Sequence, residues 1–446
     1  MKISLSEHFG YGKLLRFTLP PIAMMIFTSI YGVVDGFFVS NFAGKGEFTA
    51  VNFIMPYLMI LGAVGFMFGA GGSALVAKRL GEGRERDARS LFSLIVYTTG
   101  IVGVAFSAIG ILLLRPVAEL LGAEGEMLEY CVRYGVIILA ALPFFMLQME
   151  FQTFMITAER PKLGFVVTLI AGCTNIVLDA LLVAAFGLGL EGAAAATAIS
   201  QIVGGVVPLA FFFLKGSSNL KLGRAKLELR ALYKVCTNGA SELLGNISMS
   251  IVGMLYNFQL LGYAGEDGVA AYGVLMYVGF IFCAIFIGYS VGVAPVLSFH
   301  YGAGNKKELR GLLFRSVTVI TAGSVLMVTA ALLLAGPLSF IFVGYDEALY
   351  DLTVRGFYIY SFSFMFCGIP IFFSSFFTAL NDGLTSACIS FLRTLVFQAA
   401  FIFILPWLFG VDGIWYSLIA AELAAALVAL LFLFLKRKKY GYLETR

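Results

Sequence analysis

Residues 163–186 read LGFVVTLIAGCTNIVLDALLVAAF, and the interpretation of the whole chain starts from this stretch. The stretch is long enough to cross a bilayer, which takes about 20 apolar residues. Its one charged residue is Asp179, and Asn175 lies four positions earlier, so the two side chains share one helix face. A carboxylate in a membrane helix costs about 2.5–3.5 kcal/mol on insertion scales. The stretch therefore predicts a spanning helix that carries part of a polar site.

The composition of the whole chain is that of a membrane protein. Of its 446 residues, 60% are hydrophobic and 13% are charged, whereas soluble domains carry about 25% charged residues. The first apolar stretch contains Pro20-Pro21 and continues to Asp35 without a small-residue cleavage site, so we interpret it as a retained spanning helix. The cysteines stand singly in apolar segments with no CxxC pair, which predicts no zinc or redox site.

Apolar segments of spanning length occur throughout the chain, and their loops alternate in charge. Basic residues gather in every second loop and at the C-terminus, whereas Asp and Glu dominate the remaining loops. The positive-inside rule then predicts a multi-pass protein of the cell (inner) membrane with both termini in the cytoplasm. The predicted spans are residues 14–41, 50–77, 91–114, 130–157, 162–186, 192–214, 235–262, 268–298, 312–335, 350–379, 384–409 and 413–435.

An internal repeat relates the two halves of the chain at an offset of 221 residues, as from Gly44 to Gly265. Six spans per half is an even number, so both halves have the same orientation in the membrane. The matching segments are Ala43-Gly44 with Ala264-Gly265, GEGRERDAR at 81–89 with GAGNKKELR at 302–310, and GLEG at 189–192 with GVDG at 410–413.

The repeat predicts an all-α integral membrane fold of twelve transmembrane helices in two parallel six-helix lobes, related by a pseudo-twofold axis along the membrane normal. The predicted lobes are residues 1–214 and 235–446, and the polar, basic stretch 215–234 is the predicted cytoplasmic linker. A substrate path is expected between the lobes. The glycine-rich loops lack the Gly-Lys-Ser/Thr of a phosphate-binding loop, so any pumping must draw on an ion gradient.

Polar residues of the first lobe lie at similar depth when each helix rises 1.5 Å per residue. Asp35 lies about 28 Å and Asp179 about 26 Å from the basic loops, and Thr197 lies about 9 Å below the opposite surface. With Asn175, these residues form the predicted cation site. Oxygen ligands suit a hard cation such as Na⁺, and two neighbouring carboxylates can instead share a proton, so sodium and proton sites both fit.

Three glutamates and two helix-breaking prolines inside the membrane are further candidates for functional residues. Glu242 lies about 12 Å into the seventh span and is a candidate for substrate binding or for a cation site in the second lobe. Glu150 and Glu422 lie near mid-membrane, where each could face a cavity or pair locally. Pro20 and Pro21 predict a kink in the first span below Asp35, either static or acting as a hinge.

The chain resembles the multidrug and toxic compound extrusion (MATE) family over essentially its whole length, and its tightest match is to the DinF-like branch. The motifs that carry this resemblance are YGVVDGFFVSNFAG at 31–44, the paired GEGRERDAR and GAGNKKELR loops, and NIVLDALLV with GLEGAAAATAISQ at 175–201. The resemblance implies that Asp35, Asn175, Asp179 and Thr197 build a cation site in the first lobe, with Tyr134 in the same polar network. It does not extend to a second-lobe sodium site, because the tenth span carries Cys367 where an acid is expected.

The expected function is that of an antiporter exporting amphipathic, often cationic, drugs or metabolites in exchange for Na⁺ or H⁺ by alternating access. The expected partners are a small-molecule substrate and the lipid bilayer, with no nucleic acid and no cofactor beyond the coupling ion, and the expected state is a monomer. A lipid-linked precursor flippase of the same superfamily is the alternative, disfavoured because Arg393 is the one clearly embedded base. No catalytic constellation points to an enzyme.

Overall fold

The computed structural model describes residues 3–214 and 219–443, and within these ranges the chain is helical with no strand. Three π-helical segments, Val39–Ala43, Asp179–Ala185 and Leu392–Phe397, follow α1, α5 and α11. The helices are α1 Tyr11–Phe38, α2 Lys45–Gly81, α3 Glu85–Leu121, α4 Gly125–Thr157, α5 Pro161–Leu178, α6 Gly189–Phe213, α7 Leu229–Gly302, α8 Lys306–Val343, α9 Glu347–Ser361, α10 Phe364–Ala379, α11 Gly383–Phe391, α12 Gln398–Phe409 and α13 Val411–Tyr440.

These helices make the predicted twelve crossings. Ten helical stretches of the described chain are individually long and apolar enough to span a bilayer, and α9 with α10 forms an eleventh span bent by 51°. Helix α7 has 74 residues and breaks at Gly265, so its part before the break, residues 229–264, is a separate helix long enough for the twelfth crossing. The helices begin before the predicted spans, as α7 does at Leu229 and not at residue 235, and the tenth span is bent after Ser361.

The repeat extends to the backbone conformation of its turns. Glycines at equivalent positions adopt positive φ in both halves, a region that glycine enters without the steric penalty other residues meet. Because Gly44 ends the first crossing and Gly265 breaks α7, both lobes use a glycine to separate their first two spans. The pairs at the offset of 221 are Gly44 (φ 125°) with Gly265 (φ 64°), Gly83 (74°) with Gly304 (66°), and Gly189 (54°) with Gly410 (59°).

The first lobe, α1–α6, meets the second lobe, α7–α13, where glycines let helix backbones touch. A Cβ on Gly71 of α2 would collide with the carbonyl oxygen of Val235 and would lie 2.7 Å from the amide nitrogen of Gly239. A Cβ on Gly239 of α7 would in turn collide with the carbonyl oxygen of Met67. The two helices therefore cross with no room for side chains between them.

A second glycine contact lies on the pseudo-twofold axis. A Cβ on Gly81 would collide with the carbonyl oxygen of Phe299, and one on Gly302 would collide with that of Lys78. Gly81 and Lys78 are the repeat equivalents of Gly302 and Phe299, so the crossing of α2 with the end of α7 is symmetric. This reciprocal contact is what a parallel pseudo-twofold arrangement requires.

Both glycine contacts lie toward one end of the bundle, which we call the basic end. It carries the loops at 82–84, 158–160, 219–228, 303–305 and 380–382. Here the N-terminal segment ties the lobes together: the amide of Leu5 donates to Glu159 at 2.9 Å in the first lobe, and the amide of Phe9 donates to Glu308 at 3.0 Å in the second. The described lobes are thus closed at the basic end.

Toward the opposite end, the lobes are separated by a groove. Helix α1 faces α7 and α8 across an apolar space of about 350 Å³, lined by Ile30, Val34, Tyr277, Phe282 and Leu338 among others. Because tight backbone contact at the basic end coexists with this groove, the two lobes diverge away from the basic end.

The predicted linker packs against the first lobe. Residues 215–218 of the predicted segment 215–234 lie outside the described residues. Beyond them, the amide of Gly223 donates to Ser93 at 3.0 Å, and Arg79 forms a 2.8 Å ion pair with Glu228. Leu220 is buried in the core of the first lobe. This part of the linker is therefore held along α2 and α3.

At the basic end, Asp382 joins α13 to the start of α11 within the second lobe. Its carboxylate caps α11 through the amide of Thr385 at 3.4 Å, accepts the Tyr440 hydroxyl at 2.7 Å, and lies 3.5 Å from Lys436. Burial acts to raise the pKa of Asp382, but the hydrogen bonds from Tyr440 and Thr385 and the charge of Lys436 outweigh it, so the pKa lies below the ordinary value of 3.8. The stabilisation is therefore present above this ordinary value and is lost as the pH falls through the lower, folded-state pKa.

We expect Asp382→Ala to lower the free energy of unfolding by about 1.5–3 kcal/mol, because hydrogen bonds to a charged group are lost at a buried site. Asp382→Asn keeps an acceptor and a good cap, so its loss should be smaller. Thermal unfolding of both purified variants at neutral pH provides the measurement. Equal melting temperatures for Asp382→Ala and the unchanged protein would show that this junction contributes nothing.

Candidate functional site

Asp35 and Asp179 meet inside the first lobe. Asp35 lies near the end of α1, and Asp179 opens the π-helical segment that follows α5. Their carboxylates are close enough to interact electrostatically. The Thr197 hydroxyl donates to Asp35 Oδ1 at 3.4 Å, and Asn175 Nδ2 donates to Thr197 Oγ1 at 3.4 Å. The structure thus brings the four residues of the predicted cation site into one cluster.

The cluster has more acceptors than donors. Both carboxylate oxygens of Asp179 and the amide oxygen of Asn175 are buried without a donor among the described residues. Asp179 is fully buried, and Asn175 is nearly so. Buried polar atoms are almost always satisfied, and two ionised carboxylates cannot hydrogen-bond each other because neither carries a proton. A proton shared by the two carboxylates would supply a donor between them, and a bound cation would be a partner for the buried oxygens.

Local sequence positions these side chains. The π-helical geometry begins at Asp179, and a similar segment ends the α1 crossing after Phe38; such irregularities within helices are frequent at functional sites. Gly172 lets α5 approach α1, because a Cβ there would lie 3.0 Å from Tyr31 Cδ1 and 2.5 Å from Phe27 Cε1. The Ser200 hydroxyl donates to the carbonyl of Ala171 at 2.8 Å, which joins α6 to α5.

Two tyrosines complete the surroundings. Tyr134 of α4, placed by the family resemblance, is buried and interacts electrostatically with both carboxylates. It lines a cavity of about 30 Å³ together with Thr197 and Gln201, enough for a water molecule. Tyr31 also lies beside Asp35, and the sequence-based prediction did not include it. The spacing could have predicted this proximity, since Tyr31 and Asp35 are four residues apart on one helix face.

The chemistry of the cluster fits a hard monovalent cation or a proton. Its donors are carboxylate, amide and hydroxyl oxygens, which hard cations prefer. No group of three or more His, Cys, Asp or Glu residues able to hold a metal ion occurs in the described parts of the chain. The oxygen cluster therefore differs from a transition-metal site, which uses nitrogen or sulfur ligands.

The remaining candidates lie apart from this cluster. Glu242 is on the first crossing of α7, in the second lobe. Glu150 of α4 is fully buried and both its oxygens lack a hydrogen-bond partner by distance and angle among the described residues. Glu422 pairs with Arg393, whose Nε donates to its two oxygens at 2.9 and 3.1 Å. That pair spans 29 positions, too far for sequence spacing to reveal.

The two prolines of the predicted kink lie at the lobe interface. Helix α1 continues through Pro20 and Pro21. A Cβ on Gly288 of α7 would lie 2.8 Å from the Pro21 carbonyl oxygen, and one on Gly292 would lie 3.2 Å from Pro21 Cγ. Bending at these prolines would therefore move the surface on which the second lobe rests.

Comparison with known proteins agrees with the fold and the repeat. The MatE family model matches the chain twice, at residues 20–181 and 243–404. The multidrug export protein MepA of Staphylococcus saprophyticus is 25% identical over 96% of this chain and 94% of its own length. A MATE transporter in complex with MaL6 superposes with a TM-score of 0.93 at 21% identity, covering 98% of each chain. The outward-facing form of a multidrug resistance MATE transporter gives 0.92, with the same identity and coverage.

Proposed function

Because the chain belongs to the MatE family, we propose that it is a secondary active antiporter that exports amphipathic, often cationic, drugs or metabolites in exchange for Na⁺ or H⁺. The related MepA proteins are named as multidrug exporters, which supports drug export. MATE transporters are not enzymes, and the proposal involves no cofactor beyond the coupling ion. The flippase alternative gains no support from these relatives.

The observation that carries the coupling proposal is the Asp35–Asp179 contact. Both carboxylate oxygens of Asp179 lack a donor among the described residues, while Asp35 Oδ1 accepts from the Thr197 hydroxyl at 3.4 Å. In the proposal, the cation binds these four residues, and Tyr134 lies within the same polar network. Binding or release of the cation changes the charge of a buried cluster. Export requires only that the cation and the substrate favour different states or compete.

The proposed arrangement in the membrane follows the distribution of charge. The basic end faces the cytoplasm under the positive-inside rule, with both termini there, in a protein of the cell (inner) membrane. The lobes are residues 1–214 and 235–446, joined by the linker 215–234, and one chain acts as a monomer. Closure at the basic end and the groove at the other end then support an outward-facing state. Glu242, placed in the second lobe, remains a candidate contact for substrate or cation.

A hinge at Pro20-Pro21 is the proposed link between the cation site and the lobes. The two prolines lie on the same helix as Asp35, and Pro21 contacts α7 at Gly288 and Gly292. A change of charge at Asp35 that alters the bend would therefore move the lobe interface. Identical α1 curvature in Asp35→Asn and the unchanged protein, at all pH values, would exclude this link.

The proposed function is tested by dye efflux from proteoliposomes with Na⁺ and H⁺ gradients imposed separately. We expect one inward gradient to accelerate efflux, and the effective ion to identify the coupling cation. Collapsing that gradient with the matching ionophore should remove the acceleration, which serves as the control. Efflux that responds to neither gradient would overturn the proposal.

A further inference from the structure

A second cavity lies in the second lobe, and we call it the C-lobe cavity. It encloses about 160 Å³ and is lined by Tyr256 and Tyr272 of α7, Tyr360 of α9, Arg393, Glu422 and other residues. None of the residues of the cation site lines it. Its chemistry is therefore separate from that of the Asp35–Asp179 cluster.

The C-lobe cavity is the repeat equivalent of the small cavity beside the cation site. Met55, Leu139, Thr197 and Gln201 line the cavity of the first lobe. Their counterparts at the offset of 221 line the C-lobe cavity. These counterparts are Met276, Tyr360, Leu418 and Glu422.

The charges around the two cavities differ. Asp35 is replaced by Tyr256, Asp179 by Ala400, and Gly172 by Arg393 at the equivalent positions. The first lobe therefore holds two carboxylates, whereas the second holds a guanidinium paired with one carboxylate. A ligand that suits the C-lobe cavity must differ in charge from a simple cation.

The ion pair leaves part of Arg393 free. Only its Nε donates a hydrogen bond to Glu422, and its two terminal amino groups have no hydrogen-bond partner among the described residues. Arginine carries five N–H donors in a planar fork, so four remain for a ligand. The Arg393 side chain is 18% exposed whereas Glu422 is 4% exposed, so the guanidinium is the more accessible of the two charges.

The walls of the cavity suit a flat apolar body. Tyr256 and Tyr272 stack with ring centroids 4.9 Å apart and planes 4° from parallel. Tyr360 packs edge-on against Phe364 at 5.7 Å. Aromatic surfaces of this kind stack on planar rings, and the free guanidinium fork matches the two oxygens of a carboxylate.

From these contacts we infer that the C-lobe cavity is a substrate subsite for planar aromatic molecules that carry a carboxylate. The carboxylate binds the free amino groups of Arg393, the ring lies against the tyrosines, and Glu422 holds the guanidinium in place. The inference rests on the proposed export function for its meaning as a substrate subsite. It extends the expected substrates from cations to aromatic acids and zwitterions.

The test compares binding of 2-naphthoate and 2-naphthamide to the purified protein in phosphatidylcholine nanodiscs, measured by calorimetry. The two probes share the ring system and differ in charge. We expect the acid to bind at least about tenfold more tightly, because charged hydrogen bonds at a partly buried site are strong. Equal affinities in the unchanged protein would overturn the inference.

Variants locate the preference. Arg393→Gln combined with Glu422→Gln removes both charges and keeps the cavity neutral, and it should abolish the preference for the acid. Leu418→Trp fills the cavity and should weaken binding of both probes. If the double variant does not fold, Leu418→Trp decides by itself: unchanged binding of 2-naphthoate would place the ligand elsewhere and overturn the inference.

A further variant separates this inference from the transport proposal. Asp179→Asn alters the proposed cation site, which is distinct from the C-lobe cavity, and should keep the preference for 2-naphthoate over 2-naphthamide in the absence of any gradient. Gradient-independent efflux together with intact naphthoate binding would refute the antiport function alone. Gradient-driven efflux with no preference for the acid would refute the subsite alone.

Discussion

Asp179→Asn is expected to remove the acceleration of efflux by the coupling gradient. Asparagine keeps the size of the side chain and one acceptor oxygen, but it can neither bind a proton nor supply a negative charge to a cation. Coupling between two ligands in proteins typically amounts to a factor of roughly 5–150. The rate of gradient-driven efflux should therefore fall by a factor in this range, toward the rate measured without a gradient. Initial rates of dye efflux from proteoliposomes provide the measurement.

Two variants make this result specific to charge. Asp35→Asn removes the other carboxylate of the contact and should give the same loss. Asp382→Asn changes an aspartate at the basic end, outside the cation site, and should keep gradient-driven efflux. Each protein must elute as a monodisperse species and keep its helical content. Full gradient-driven efflux by folded Asp35→Asn and Asp179→Asn would remove these carboxylates from the coupling mechanism.

Gly71→Ala and Gly239→Ala are expected to open the basic end. The added Cβ collides with backbone atoms of the facing helix in each case, and backbone cannot rotate aside as a side chain can. Overpacking typically costs about 1–3 kcal/mol, which would shift the ratio of closed to open forms by roughly 5- to 150-fold. The lobes should therefore separate at this end, and outward-facing occupancy should fall.

Double electron–electron resonance between two spin labels measures the distance between the lobes directly. Labels at Arg84 in the first lobe and Lys307 in the second, in a background without the native cysteines, report the width of the basic end. Both sites are exposed. Gly100→Ala is the matched control, because a Cβ there meets nothing within 4 Å. A distance distribution unchanged by both Gly71→Ala and Gly239→Ala would show that the glycine contacts do not set closure.

Much of the architecture follows from local sequence. The length of a bilayer crossing sets the length of an apolar segment, so all twelve spans could be located without knowledge of packing. The bend between α9 and α10, within the tenth span, could not be located in this way. No glycine or proline stands at residues 361–363 to signal that bend. The repeat likewise predicted the parallel lobes, because equivalent glycines such as Gly44 and Gly265 stand at a constant offset.

The members of the proposed cation site could also be predicted from the sequence. The cost of placing charge in a membrane singles out Asp35 and Asp179, and the helical rise puts them at one depth. Tyr31 could have been added from its spacing to Asp35. The contact between the lobes at Gly71 and Gly239 could not be predicted, because nothing in the sequence distinguishes these glycines from the many others in the chain.

Hydrophobic length, periodicity and the energetic cost of charge are local properties, and they predicted the twelve crossings, their pairing into two related lobes and the depth of the buried carboxylates. Which side chains touch is visible only in the folded chain. Folding brings Asp35 against Asp179, pairs Arg393 with Glu422 and closes the basic end through backbone contacts at glycines. The physical reason is that contacts between helices distant in the chain depend on crossing geometry, which no local spacing of residues encodes.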